Sequence, residues 1–136
     1  MQKGRSRASS LETISKPVLL GIITIVVAGV VAPIVLPHVT HPSMIFHILL
    51  HMAGLTIAVF LSTVSLLAYL RNTTTRMLLM AAGFVTLAVV ELLYLFQAGG
   101  IYVGQFTIPL ANIEVSHMVL LMMVSLFGLG VLKVNK

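Results

Sequence analysis

Five histidines and three acidic residues hold most of the reactive chemistry in this chain. His47 and His51 are four apart, so on a helix both rings leave the same face, a spacing that can serve a metal ion. Glu114 and His117, three apart, read the same way at the start of a later helix. Glu91 falls in the middle of an apolar run. An acid inside a membrane helix costs about 2.5–3.5 kcal/mol on insertion scales, so Glu91 is expected to face protein and to have a partner. The partner expected is His51. At 1.5 Å per residue His51 lies about 10 Å below one end of its segment, and Glu91 about 8 Å below the matching end of its own.

Several chemistries fit these residues. A metal site would draw on His47, His51, His117, Glu114 and Glu91, and an imidazole-rich set suits copper or zinc better than magnesium. Paired ligands on facing helices are similar in kind to di-metal carboxylate bundles, which use more carboxylates than this chain has. A b-type haem would instead be clamped by His51 and His117 from two different helices. A proton relay is a third reading. In the plainest, His51 and Glu91 are a satisfied buried pair, and His38 and His41 are solvated loop residues. Met118, Met122 and Met123 read as helix packing rather than copper ligands. With no Cys, thiolate metal sites, disulfides and Cys-linked haem are excluded. There is no phosphate loop, no serine elbow and no Asp, which argues against an NTPase or a hydrolase.

The elements that would position these groups are membrane helices. The chain is 59% hydrophobic and 8% charged, with mean hydropathy +1.13. Soluble domains carry about 25% charged residues. Four apolar segments, 17–36, 44–70, 77–96 and 113–132, are each long enough to cross a hydrocarbon core of roughly 30 Å. The expected fold is all-α, an integral membrane four-helix bundle. Residues 1–16 are read as a mobile basic N-terminus, and 17–136 as one transmembrane domain. The first apolar stretch, about 19 residues, exceeds a signal-peptide core and reads as a retained helix. The second segment is long enough to tilt or protrude. Small and polar residues mark expected inward faces. These are Gly21, Thr24, Ala28 and Ala32 on the first helix, and His47, His51, Gly54, Ala58, Ser62 and Ser65 on the second. On the third they are Phe84, Leu87, Glu91 and Tyr94, and on the fourth Glu114, His117, Val124 and Gly128. Pro33 is expected to kink the first helix near its end. Thr73, Thr74 and Thr75 are expected to cap the third. The Gly-rich stretch 98–112 reads as a loop lying on the membrane or folded over the bundle end.

Charge sets the orientation. All eight basic residues, Lys3, Arg5, Arg7, Lys16, Arg71, Arg76, Lys133 and Lys136, fall on one side of the four segments. Basic loops stay cytoplasmic, so both termini are expected inside the cell membrane, with the histidines toward the outer face. The net charge of +5 is spread over helix ends. It therefore suits anionic headgroups rather than nucleic acid.

The residues Ala68-Tyr69-Leu70-Arg71, Arg76-Met77-Leu78-Leu79, Ala82-Gly83-Phe84 and Glu114 resemble short archaeal polytopic membrane proteins of unassigned function, over the last three helices. Glu114-Val115-Ser116-His117 is similar to the outer E-x-x-H of half-size haem A synthases. That family carries the motif on its second helix and usually follows it with Arg, where this chain has Met118. In size and helix count the chain is also similar to small membrane subunits of archaeal ammonia monooxygenase. Together these features point to a non-enzymatic accessory subunit of a larger membrane complex, of respiratory or metallo-oxygenase type, with lipid and other membrane subunits as partners. The alternative is a standalone haem- or copper-handling membrane protein.

Because the chain lacks Cys, single cysteines report topology cleanly. In sealed cells an impermeant thiol reagent is expected to label Gly104→Cys and not Thr74→Cys; the reverse pattern would invert the orientation.

Overall fold

The computed structural model describes residues 14–38, 42–100, 107–108 and 113–132. Four α-helices dominate: α1 (Lys16–Val35), α2 (Pro42–Asn72), α3 (Thr75–Ala98) and α4 (Val115–Leu132). All four are long and apolar enough to cross a membrane. The reason is local. Without water, backbone N–H and C=O groups must bond within their own segment, and a helix does so. The 31 residues of α2 make a rod of about 46 Å, longer than the hydrocarbon core of about 30 Å.

Each end has its own chemistry. At the start of α1, Ser15 takes the N-cap position in extended geometry without a side-chain cap bond, and Pro17 lies in the first turn. Pro tolerates that place because its missing N–H has no intrahelical partner there. Ile14 packs on the core that contains Leu19, which closes the helix entry as a hydrophobic staple. Pro33 lies inside α1, whose C-cap is Leu36, and a 3-10 turn, Leu36–His38, follows. Thr74 is the N-cap of α3, but its side chain makes no cap hydrogen bond. The turn from α2 into α3 is made by the backbone instead. Thr73 adopts φ +47° and donates its N–H to the Tyr69 carbonyl. At the other end of α3, Gly100 adopts φ +77°, the left-handed conformation that glycine accepts without a Cβ penalty.

Packing follows chain order: α2 lies mainly on α3, α3 on α4, and α1 on α2, with no other helix pair packed comparably. The main core joins Leu19, Ile23, Val27 and Val31 of α1 to Ile48 and Leu55 of α2 and Leu95 and Ala98 of α3. The α1 face is therefore an i, i+4 row of branched aliphatics. This corrects the expectation for α1 in part: Gly21 and Thr24 are exposed, while Ala28 and Ala32 are half-buried. Thr24 satisfies its hydroxyl on the Leu20 carbonyl, so it has no need of a neighbouring helix. The α3–α4 seam is built on shape. A Cβ on Gly83 would stand 2.6 Å from Phe127 Cε1, and Phe84 meets Phe127 edge to face at 4.9 Å. The expected inward face of α4 is also corrected: His117, Val124 and Gly128 are exposed, whereas Ser116 and Gly130 are buried. The aromatic ring of Phe127 sets the rotation of α4, because the notch at Gly83 accepts it.

The stretch between α3 and α4 contributes a two-residue antiparallel ladder, Thr107–Ile108 (β1) with Ile113–Glu114 (β2), in the register Thr107↔Glu114 and Ile108↔Ile113. The fourth apolar segment therefore divides into a strand and then a helix. β-branched residues at three of the four ladder positions suit a pleated pair.

A β-branched residue at positive φ is strained by of order 1 kcal/mol. Thr73→Gly is expected to raise the thermal midpoint in detergent, by about 0.5–1 kcal/mol of stability. An unchanged or lower midpoint would mean that the turn carries no such strain.

Candidate functional site

The site is built where α2 and α3 face each other. His51 on α2 and Glu91 on α3 are 40 residues apart in sequence, and His51 Nδ1 stands 2.7 Å from Glu91 Oε2. Both side chains are mostly enclosed, 14% and 20% exposed. The expected partnership between the intramembrane acid and a histidine is therefore formed. Its reason is the cost of a lone carboxylate in hydrocarbon.

Gly54, one turn along α2 from His51, makes the room. A Cβ there would meet the Glu91 carboxylate, 2.7 Å from both Cδ and Oε1. Two further rings complete the surroundings. Tyr94, one turn beyond Glu91, lies 5.2 Å from His51 at an interplanar angle of 31°. His47 meets His51 edge-on, with centroids 4.6 Å apart at 82°. This follows from the i, i+4 spacing, which stacks one ring above the other on a single helix face. The sequence places Tyr94 on the inward face of the third helix with Glu91, but does not mark it as a site group. Its i+3 spacing from Glu91 was the available signal.

The remaining expected ligands are placed differently. His117 is exposed, on the first turn of α4. Glu114 belongs to β2, one residue before α4. The reading of Glu114 and His117 as an i, i+3 pair on one helix is therefore corrected: on a strand, successive side chains alternate faces rather than repeat every 3.6 residues. The Glu114 side chain lies outside the described residues, as do His41 and the His38 side chain. Among the described residues, no three His, Asp or Glu side chains gather closely enough to hold a metal ion. The described arrangement is a His51–Glu91 pair flanked by the rings of His47 and Tyr94.

Six hydroxyls among the described residues handle their polarity within single helices. The hydroxyls of Thr24, Thr56, Ser62, Thr63, Thr86 and Ser125 each donate to the carbonyl four residues earlier. Among the described residues no buried side-chain N or O lacks a partner. Against that background, the His51–Glu91 bond is a polar bond made between helices.

With the proton on Nδ1, His51 donates to the carboxylate, and Nε2 is left with an acceptor lone pair. A carboxylate behind an imidazole fixes the tautomer and raises the basicity of the other nitrogen, the arrangement that orients metal-ligating histidines. The same pair can pass a proton. An apolar cavity of about 890 Å³ is lined by α2, α3 and α4 residues such as Leu55, Val59, Thr86, Leu92 and Met122. None of its lining residues is His or Glu.

Comparison with protein-family models, with curated proteins and with solved structures returns no match.

Two glycine substitutions test whether the carboxylate is pinned. Gly21→Ala adds a Cβ that meets nothing within 4 Å. It is expected to stabilise by up to about 1 kcal/mol through helix propensity. Gly54→Ala must displace Glu91 from His51 and is expected to lose about 1–2 kcal/mol net, since hydrogen bonds to charged groups contribute roughly 1.5–3 kcal/mol. Thermal unfolding in detergent reads both. Equal gains from the two variants would show that Glu91 moves aside without cost.

Proposed function

We propose that this chain is a non-enzymatic accessory subunit of a larger membrane complex, of respiratory or metallo-oxygenase type. It sits in the cell membrane with both termini cytoplasmic. The observation that supports this reading is the open apolar groove of about 890 Å³ formed by α2, α3 and α4. Helices in lipid associate through close packing rather than a hydrophobic drive. A groove between helices with Ala81, Ala82 and Ala88 in its lining offers a neighbouring subunit's helix dispersion contacts that mobile lipid tails fill less completely. Orientation rests on the one-sided basic residues. In this reading the His51–Glu91 pair ties α2 to α3 near the outer face and holds the groove's walls in register.

A second reading has a specific observation behind it. The carboxylate-backed imidazole of His51, with His47 at its edge, is the layout of a ligand-bearing histidine. It supports a standalone protein that handles copper, zinc or haem b. His51 and His117 would be the haem ligands, and His47, His51, His117, Glu114 and Glu91 would be drawn on for a metal. Since the described side chains supply fewer than three gathered ligands, such a site would be completed by groups beyond them.

One purification separates the two. The tagged protein, extracted in mild detergent, is expected to elute with larger membrane subunits in fixed stoichiometry, with neither a Soret band nor stoichiometric metal of its own. A monodisperse single species carrying haem or copper, lost in His51→Ala, would overturn the accessory reading and establish the second.

A further inference from the structure

The second cavity lies at the opposite end of the helices from the histidines. It encloses about 390 Å³ between the start of α1 and the end of α2. Its lining divides by chemistry: Lys16, Arg71 and Asn72 on one part, and Leu19, Val64 and Leu67 among the apolar remainder. None of its lining residues is acidic. Lys16 is the first residue of α1 and Arg71 lies in the last turn of α2. The antiparallel packing of these helices is what brings two cations 55 positions apart to one opening. Both residues are exposed, while Leu19 on the same wall is buried in the core.

We propose that this cleft binds one anionic phospholipid. The phosphate lies between Lys16 and Arg71, the Asn72 amide donates to a headgroup oxygen, and an acyl chain runs along Leu19, Val64 and Leu67. The geometry fits the ligand's own division. A phospholipid has a charged head joined to an apolar chain at the depth where a membrane helix ends, and the cleft presents cations at the helix ends with apolar walls below them. Arg adds planar, multi-donor recognition of phosphate oxygens, and Lys a compact charge. Basic pockets between helices at the membrane surface hold anionic headgroups through this combination. The site also has a structural consequence. α1 is attached mainly through α2, and a lipid bridging Lys16 to Arg71 would clamp its free end. The inference does not depend on the accessory-subunit reading, because a standalone protein would carry the same cleft.

The test is native mass spectrometry of the full chain in detergent, titrated with phosphatidylglycerol, phosphatidylcholine, or glycerophosphoglycerol without acyl chains. One phosphatidylglycerol is expected to be retained in preference to phosphatidylcholine. Lys16→Gln and Arg71→Gln are each expected to weaken retention by about fivefold, the loss of one direct hydrogen bond to the headgroup. Lys16→Arg is expected to retain wild-type binding. Arg76→Gln, a basic residue of the same end that does not line the cleft, is expected to change nothing. Val64→Ser, on the apolar wall, is expected to weaken the full lipid and leave the acyl-free headgroup unaffected. Equal loss in Arg76→Gln would reduce the effect to diffuse surface charge and overturn the site. Equal affinity for glycerophosphoglycerol and for the lipid would make the ligand a soluble phosphate and overturn the lipid assignment. If a Gln variant fails to fold, judged by its gel-filtration profile, Val64→Ser carries the test, and wild-type retention of the full lipid in folded Val64→Ser overturns the proposal.

Discussion

Hydrocarbon offers a polar group nothing to bond to, and nearly every feature of this molecule is a response to that. Backbone groups close on themselves in four long helices. Hydroxyls that fall within those helices donate to their own i−4 carbonyls. Basic residues collect at helix ends, where water and headgroups begin. Glu91 cannot use the hydroxyls' route, because a carboxylate has no proton to give its own helix. It therefore bonds across to α2, and the position of His51 opposite Glu91 becomes a constraint on how α2 and α3 are aligned.

That alignment has a cost in side-chain volume, which is met by glycine. Gly54 leaves the space that the Glu91 carboxylate fills, as Gly83 leaves the space for Phe127 on the other face of α3. α3 is thus held on two sides by different physics: a polar bond with a void cut for it toward α2, and an aromatic ring in a notch toward α4. α1 is added to this pair through a single row of branched aliphatic residues. The result is a layer that leaves an apolar groove between α2, α3 and α4 on one side. At the far end, α1 and α2 meet in a cleft with charged lips. The two ends of the molecule carry different chemistry, imidazole and carboxylate at one and cations at the other, which suits a protein fixed in one orientation.

The sequence by itself determined the number of membrane helices, their limits to within two or three residues, and the separation of cations from histidines. These depend on hydropathy and charge along a line, which neighbouring helices do not alter. It also determined that Glu91 needs a partner and that His51 is at the right depth, since the cost of a buried acid is local and large. Tertiary structure decided what depends on rotation about a helix axis. In a helix that is apolar all round, the wheel does not say which side meets protein, so Gly21 and Thr24 of α1 and His117, Val124 and Gly128 of α4 turned outward, and packing chose Leu19, Ile23, Val27 and Val31 for the core face of α1. The turn into α3 was settled by backbone geometry at Thr73 rather than by the threonine side chains. The start of α4 was decided by a strand pairing at Ile113 and Glu114, a contact with residues beyond the helix that no periodicity within the last segment records. That pairing also places Glu114 on a strand rather than on the helix that carries His117.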